Sequence, residues 1–460
     1  MGSVNERDQI GSDVARLRRT FDGGRTRSVG WRVRQLEALS GLLSRHEREI
    51  AAALQRDLGR PAADAWLADI AAVQVEITTA KRNVKKWMAD KKVRMPWTQW
   101  PAKGRVHREP LGLVVIIGPW NYPFYLALGP LVGVLAAGNC AVIKPSELAP
   151  ASSRLLADLL PRHLDSDAVA VVEGGAVEVS SIIEQRVDHI IFTGGPTAGR
   201  KVMAAAAAHL TPVTLELGGK SPVIVTAEAD IEVAARRIVW AKLMNSGQTC
   251  IAPDHILVSR SVTSQLVEAI VGTLAEFRAN EAGGLPIVDR RQFDRIALLM
   301  KDHGGQVICG GGSDSDALTF EPTIILDPDL DAPVMRDEIF GPILPIVQVG
   351  DLDAALGFVR AREKPLALYL FSSSQAEAAR VVGESSSGGV VVNHMGLHCM
   401  TPALPFGGVG NSGMGAYHGK WGFDTFSHRK AVLATRTRPD LPLLYPPVSK
   451  LKGWILRRLF

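Results

Sequence analysis

The sequence predicts an α/β protein with parallel sheets and more than one core. Three observations lead there. Short apolar runs alternate with helical stretches from Leu113 onward: Leu113–Ile117, 140–143, 190–192, Val213–Leu217 and Pro222–Val225 each read as a buried strand. The turns after three of these runs are rich in Gly, Pro and polar residues, as ligand-binding strand ends are. The chain has 460 residues, 46% apolar and 22% charged, which fits two to four folded domains and excludes a disordered chain.

Taken in order, the first hundred residues read as helical. Leu36, Leu39, Leu42, Leu43, Ile50 and Leu54 recur at helical spacing among Arg and Glu. The stretch 81–104 is basic, with Trp87, Trp97, Trp100 and two prolines, and reads as an exposed arm. The longest apolar stretch, 126–143, is broken by Gly129, Pro130, Gly133, Gly138 and Asn139, so it reads as a buried helix and strand, not a membrane span. A second α/β region runs over about 223–392, with Asp230 as the N-cap of a helix and Glu232 in its first turn.

Charge and cysteine content exclude other classes. Fifty-two Lys and Arg against 47 Asp and Glu leave a net charge of +5, thin for this length, and no basic stripe with interleaved aromatics points to nucleic acid. The four cysteines, 140, 250, 309 and 399, have no zinc-like or CxxC spacing, and a reducing compartment is expected. The first ten residues carry no apolar run, so no secretory signal is expected.

The strand ends carry the chemistry. Leu113–Ile117 runs into Gly118-Pro119-Trp120-Asn121-Tyr122-Pro123, and the second strand into Lys144-Pro145-Ser146-Glu147. The third runs into Gly194, Gly195, Pro196, Thr197, Ala198 and Gly199, where glycines let backbone approach a phosphate and a helix N-terminus follows. In Val213–Leu217, Glu216 points away from the leucines; beside a cleft, desolvation would suit it as a general base. Cys250 follows Asn245-Ser246-Gly247-Gln248-Thr249, a polar setting unusual for a core cysteine and suited to a nucleophile.

These segments, with Glu338-Ile339-Phe340-Gly341-Pro342 and Pro405-Phe406-Gly407-Gly408-Val409-Gly410-Asn411-Ser412-Gly413, resemble the NAD(P)-dependent aldehyde dehydrogenase superfamily in identity and order. The start near the first helix and the run from Gly410 to Gly419 are similar to its class 3 branch, the fatty and aromatic aldehyde dehydrogenases. The resemblance implies Cys250 as nucleophile, Glu216 as general base, and Asn121 with the Cys250 backbone N–H as oxyanion hole. It implies Lys144 and Glu147 at the adenosine ribose, Gly194, Gly195, Pro196, Thr197, Ala198 and Gly199 at the pyrophosphate, and Glu338 and Phe340 at the nicotinamide ribose. Glu147 favours NAD, since a carboxylate accepts from a 2′-OH and repels a 2′-phosphate; the class 3 branch also tolerates NADP. The phosphate loop reads Gly-Gly-Pro-Thr-Ala-Gly, where the family more often has Gly-Ser-Thr-x-x-Gly.

The two α/β textures and the basic, aromatic interruption between the helices and the first strand predict a Rossmann-like cofactor domain over 1–84 and 105–212, a catalytic α/β domain over 213–395, and a small arm, and the resemblance adds that such arms build dimers. That arm takes 85–104 and, with cofactor- and substrate-side loops, part of 396–435; a tail of 436–460 remains. The expected activity is oxidation of medium- or long-chain aliphatic or aromatic aldehydes to acids, in a cytoplasmic homodimer with no nucleic-acid partner. Two alternatives stand beside it: a CoA-acylating dehydrogenase or acyl-CoA reductase of the same fold, which needs no hydrolytic base, and an inactive binding module. His394, His398 and Cys399 lack the Glu of HExxH and fall in a substrate-side loop, so no metal is expected. In the tail, Leu451, Trp454, Ile455, Leu459 and Phe460 fall on one helical face, with Lys450, Lys452, Arg457 and Arg458 mostly elsewhere. That pattern suits packing on protein or peripheral contact with the inner face of a membrane.

Overall fold

A computed structural model describes residues 2–278, 284–438, 440 and 443–459, with side chains described from residue 7. Phe460, assigned above to the apolar face of the tail, lies outside the described residues.

Two large sheets organise the chain. The first has six strands in the order Gly413–Met414, Val213–Leu217, His189–Gly194, Leu113–Ile117, Cys140–Lys144, Val169–Val171. All its pairings are parallel except the short antiparallel edge at Gly413–Met414. Leu113–Ile117 and Cys140–Lys144 are buried along their whole length, as strands covered on both faces must be. The chain moves outward from Leu113–Ile117 to Val169–Val171, then returns to lay His189–Gly194 on the other side. This reversal makes a topological switch point, where a crevice opens beyond the carboxyl ends of the two neighbouring strands.

The second sheet has seven strands in the order Gln306–Cys309, Thr323–Leu326, Ile343–Val349, His255–Ser259, Pro222–Val225, Ala367–Phe371, Gly389–Val392. The helix Ile231–Leu243 begins at Asp230, whose side chain accepts from Val233 N at 3.1 Å. The apolar stretch within 126–143 resolves into the buried helix Tyr125–Ala137 and the strand Cys140–Lys144, as expected. Gly138 ends that helix with φ 89°, a left-handed turn that glycine adopts without strain.

Two expectations need correction. The division between the α/β regions was placed at 212/213, but Val213–Leu217 pairs with His189–Gly194 in the first sheet, so the break falls after Leu217. Its alternating pattern marks a strand but not its neighbour, and only the pairing decides. The basic stretch 81–104 reads as exposed, with the arm starting at 85, but the helix Ala72–Met88 continues past both points. Trp87 is buried and packs against Phe423, with ring centroids 5.6 Å apart. Beyond it, Lys91–Val93, Lys103–Pro110 and Ser427–Ala434 form a separate three-stranded antiparallel sheet, with Trp97 and Trp100 exposed beside it. The tail forms the helix Lys450–Leu459, with Leu451 and Trp454 exposed.

Candidate active site

A cavity of about 1240 Å³ opens at the carboxyl edge of the first sheet, against the second. Asn121, Glu216, Cys250, Glu338 and Phe340 all line it, as do Gly194, Gly195, Pro196 and Thr197. Residues separated by more than two hundred positions in sequence therefore share one space.

Cys250 is presented by an unusual turn. The helix Ile231–Leu243 gives way to Asn245 and Ser246, both at φ 51°, and then Gly247 at φ 71°. A side chain at Gly247 would meet the carbonyl oxygen of Gly341 at 2.3 Å, so the Gly-Gln-Thr-Cys and Glu-Ile-Phe-Gly-Pro segments are in contact. The amides of Asn121 and Asn245 both donate to the Gln248 carbonyl at 3.1 Å. Gln248 in turn donates to Pro286 O at 3.0 Å and accepts from Val288 N at 3.0 Å. The turn is thus tied to Asn121 on one side and to residues 286–288 on the other. Burial pushes the Cys250 thiol well up, and the nearby Cys399, Glu338 and Glu216 add to this; its own backbone N–H opposes them.

Glu216 is buried, and neither carboxyl oxygen has a hydrogen-bonding partner among the described residues. Desolvation raises its pKa well above the carboxylate range. A buried carboxylate left free in this way is costly for folding and suited to taking up a proton at a reaction centre. Gly413 pairs opposite Glu216 across the sheet edge, and a side chain at Gly413 would meet Leu215 O at 1.9 Å.

Glu338 lies over Gly218, and burial pushes its carboxyl up to about 7, with the Gly219 N–H opposing. Its loop is held from beneath. Lys220 pairs with Asp254 and donates to Val334 O and Asp337 O, each at 2.8 Å. Asp254 accepts from Ile339 N at 2.9 Å, and Arg295 donates to Glu338 O at 2.9 Å and Ile339 O at 2.7 Å. Phe340, at φ 47°, sets its ring edge-on to Trp120 with centroids 5.6 Å apart.

The phosphate-loop residues divide. Gly195 is the N-cap of the helix Pro196–Ala207, with Pro196 at its first turn. The N–H groups left unpaired at such a helix start suit an anion. Ala198 is exposed and outside the cavity, and Gly199 is buried against Leu217, where an added Cβ would come within 2.7 Å of Cδ2. Gly199 therefore serves close helix–sheet packing. Lys144 and Glu147 also lie outside the cavity, one strand over: the Lys144 Nζ donates to Glu147 Oε2 at 2.9 Å and Gly174 O at 2.8 Å. Burial raises the Glu147 carboxyl, but the hydrogen bond from Lys144, its own backbone N–H and the Lys144 charge together hold it below its usual range.

This lining fits a dinucleotide. A helix N-terminus borders the cavity, where it would face the phosphates, and the buried carboxyl of Glu338 and the ring of Phe340 line it together with Cys250. Gly218 leaves room that a Cβ would fill. Around Cys250 the surroundings turn aromatic. The Tyr122 hydroxyl lies 2.7 Å from Thr249 Oγ1, the Tyr369 hydroxyl donates to Ile251 O at 2.6 Å, and that of Tyr125 to Cys399 O at 2.7 Å. Tyr417 is raised by burial and then by the neighbouring Glu216 and Cys250. His394 bonds to Met395 of its own loop, and the His398 ring packs against Phe406 and Tyr369. Sequence reasoning missed Asn245, Gln248, Asp254 and Arg295. Asn245 and Gln248 stood inside a quoted motif, but their bonds to Asn121, Pro286 and Val288 are long-range, and Asp254 and Arg295 carried no local signal.

Residues 3–432 match the model of the aldehyde dehydrogenase family. The chain is 45% identical over 453 residues to aldehyde dehydrogenase family 3 member H1 of Arabidopsis thaliana, covering 97% of this chain and 94% of that one. It is 45% identical over 428 residues to the dimeric NADP-preferring aldehyde dehydrogenase of Rattus norvegicus, covering 92% and 94%. The solved substrate-bound state of Staphylococcus aureus AldH superposes with a TM-score of 0.93 at 40% identity, covering 98% of this chain and 99% of that one. The chain belongs to the aldehyde dehydrogenase family and to its class 3 branch, and it is an NAD(P)-dependent enzyme that oxidises aldehydes.

Proposed function

We propose that this aldehyde dehydrogenase oxidises medium- or long-chain aliphatic or aromatic aldehydes to carboxylic acids through intermediates bound to Cys250. The observation that carries the proposal is the convergence of Cys250, Glu216 and Asn121 on one cavity with the start of the helix Pro196–Ala207. The tyrosines around Cys250 favour an apolar or aromatic aldehyde.

Cys250 reacts as its thiolate, and the thiol proton passes to solvent, which leaves Glu216 free for the second half of the reaction. The thiolate sulfur attacks the aldehyde carbon, and the carbonyl electron pair moves to oxygen. Asn121 Nδ2 and the Cys250 N–H stabilise that oxyanion, which contributes about 2.7–4 kcal/mol per donor in comparable sites. Glu338, Phe340, the Gly194–Thr197 turn, Lys144 and Glu147 would hold NAD(P)+, which when bound would accept the hydride that leaves carbon as the oxyanion electron pair re-forms the carbonyl. The resulting thioester on Cys250 is cleaved by water that Glu216 deprotonates, releasing the acid and restoring the thiol. Glu147 favours NAD, with NADP accepted.

The three-stranded sheet with exposed Trp97 and Trp100 is the dimerisation arm in this reading, as the name of the dimeric rat relative supports. The enzyme is cytoplasmic, and the helix Lys450–Leu459 attaches it peripherally to an anionic membrane face. Its exposed Leu451 and Trp454 and the absence of acidic residues support this. Among the described residues no helix is long and apolar enough to cross a membrane. Reduced-cofactor absorbance with a series of aldehydes, with and without CoA, tests the reaction. CoA-independent release of acid is expected, and strict CoA dependence would replace hydrolysis with acyl transfer.

A further inference from the structure

We propose that Arg60 and Asp69 are positioning residues for the oxyanion hole, a buried ion pair that fixes the Asn121 loop against the Cys250 turn. The inference rests on the assignment of Asn121 and Cys250 above.

Both residues come from the N-terminal helical region, far from the reaction centre in sequence. Arg60 follows Gly59, which ends the helix Glu47–Leu58 at φ 67°. Asp69 sits in a π-helical turn, Trp66–Ala71, an irregularity that often marks a functional segment. Arg60 is 2% exposed and Asp69 0%, and they are ion-paired. The Arg60 Nη2 donates to the Asn121 carbonyl oxygen at 2.6 Å, which also accepts from Asn245 Nδ2 at 3.3 Å. The second Asp69 oxygen accepts from Phe124 N at 3.1 Å and Tyr125 N at 3.0 Å. The Arg60 guanidinium lies 4.4 Å from the Tyr122 ring centroid, and the Tyr122 hydroxyl reaches the side chain of Thr249, the residue before Cys250.

The pair therefore grips the backbone at 121, 124 and 125 and, through Tyr122, the residue before the nucleophile. A buried ion pair gives folding little net gain over apolar packing, so stability alone does not account for one here. Fixing the Asn121 carbonyl with two donors sets the direction of the peptide that carries the oxyanion donor. Such precision governs rate, since a misplacement of about 1 Å can cost about 100-fold.

The test is a double-mutant cycle on the single-turnover rate of hydride transfer at saturating cofactor, using Arg60→Lys, Asn121→Ala and the double variant. Arg60→Lys is expected to slow transfer about 10–100-fold with cofactor Kd unchanged. In the Asn121→Ala background the same change is expected to add little, because its effect runs through Asn121. Asp69→Asn keeps an acceptor for the two amides and serves if Arg60→Lys does not fold. An unchanged rate for Asn121→Ala overturns the oxyanion assignment and the clamp with it. A slowed Asn121→Ala beside an unaffected Arg60→Lys, or additive slowing in the double variant, overturns the clamp alone.

Discussion

The Glu338 carboxylate lies so close over Gly218 that a methyl group added there would meet Oε2 at 2.2 Å. Gly218→Ala should therefore displace Glu338 from the cavity while Cys250 and Glu216 stay in place. A hydrogen bond to a charged group contributes about 1.5–3 kcal/mol, so Kd for NAD+ should rise about 10–100-fold. Fluorescence titration of the reduced cofactor, beside a thermal melt, checks it. Unchanged affinity would remove Glu338 from the cofactor contacts.

Glu216→Gln separates function from stability. The buried carboxyl binds its proton more tightly in the folded chain than in the unfolded one. Its contribution to stability is full below the unfolded carboxyl value, about pH 4.3, and is lost as pH rises through the higher folded value. At neutral pH the glutamine variant should melt at a higher temperature than wild type, by a margin that narrows on acidification. Equal melting temperatures from mildly acidic to mildly alkaline pH would show that Glu216 is not held against its charged form.

The same burial acts on the nucleophile. The Cys250 thiol is pushed up, so the thiolate fraction is small at neutral pH and grows with pH. The rate of the hydride burst should climb through roughly pH 6–9 with a slope approaching one decade per unit. A burst rate independent of pH over that range would mean the thiolate forms before the measured step.

Glu147 is the test of cofactor choice. Its side chain is 54% exposed, and Lys144 beneath it is buried. Glu147→Gln removes the charge that repels a 2′-phosphate and leaves Lys144 to attract it. Because the group is exposed and screened, the gain should be near 1 kcal/mol, about fivefold in NADP over NAD preference. The ratio of kcat/KM for the two cofactors reads it out, and an unchanged ratio would place the discrimination elsewhere.

The tail predicts a salt-sensitive attachment worth about 1 kcal/mol per basic residue near an anionic surface. Full-length chain should sediment with anionic vesicles at low salt more than a chain ending at Ser449. Equal pelleting would leave the helix Lys450–Leu459 for a protein partner.

The residues proposed to react could be singled out in the sequence because each stands at a strand end or a turn where its residue type is out of place. A glutamate in an apolar strand and a cysteine among polar residues carry their own signal. What positions them was not legible. Arg60 and Asp69 look like ordinary charges among helices, and their value appears only when the chain folds Asn121 onto them. Trp87 failed in the opposite direction: a basic, Trp-rich stretch resembles an exposed arm, yet burial against Phe423 extends the helix through it. The strand Val213–Leu217 fell to the wrong sheet because its alternation marks two faces but not the neighbouring strand, and only the pairing with His189–Gly194 shows that.

The central claim is that an acyl group passes through Cys250. Mass spectrometry of Glu216→Gln after one exposure to aldehyde and NAD+ tests it most directly, because removing the base should stall hydrolysis and trap the thioester. The account predicts a single burst of reduced cofactor and an acyl adduct on the peptide carrying Cys250, with neither in Cys250→Ser. Continuous turnover by Cys250→Ser, or an adduct on any other residue, would contradict it.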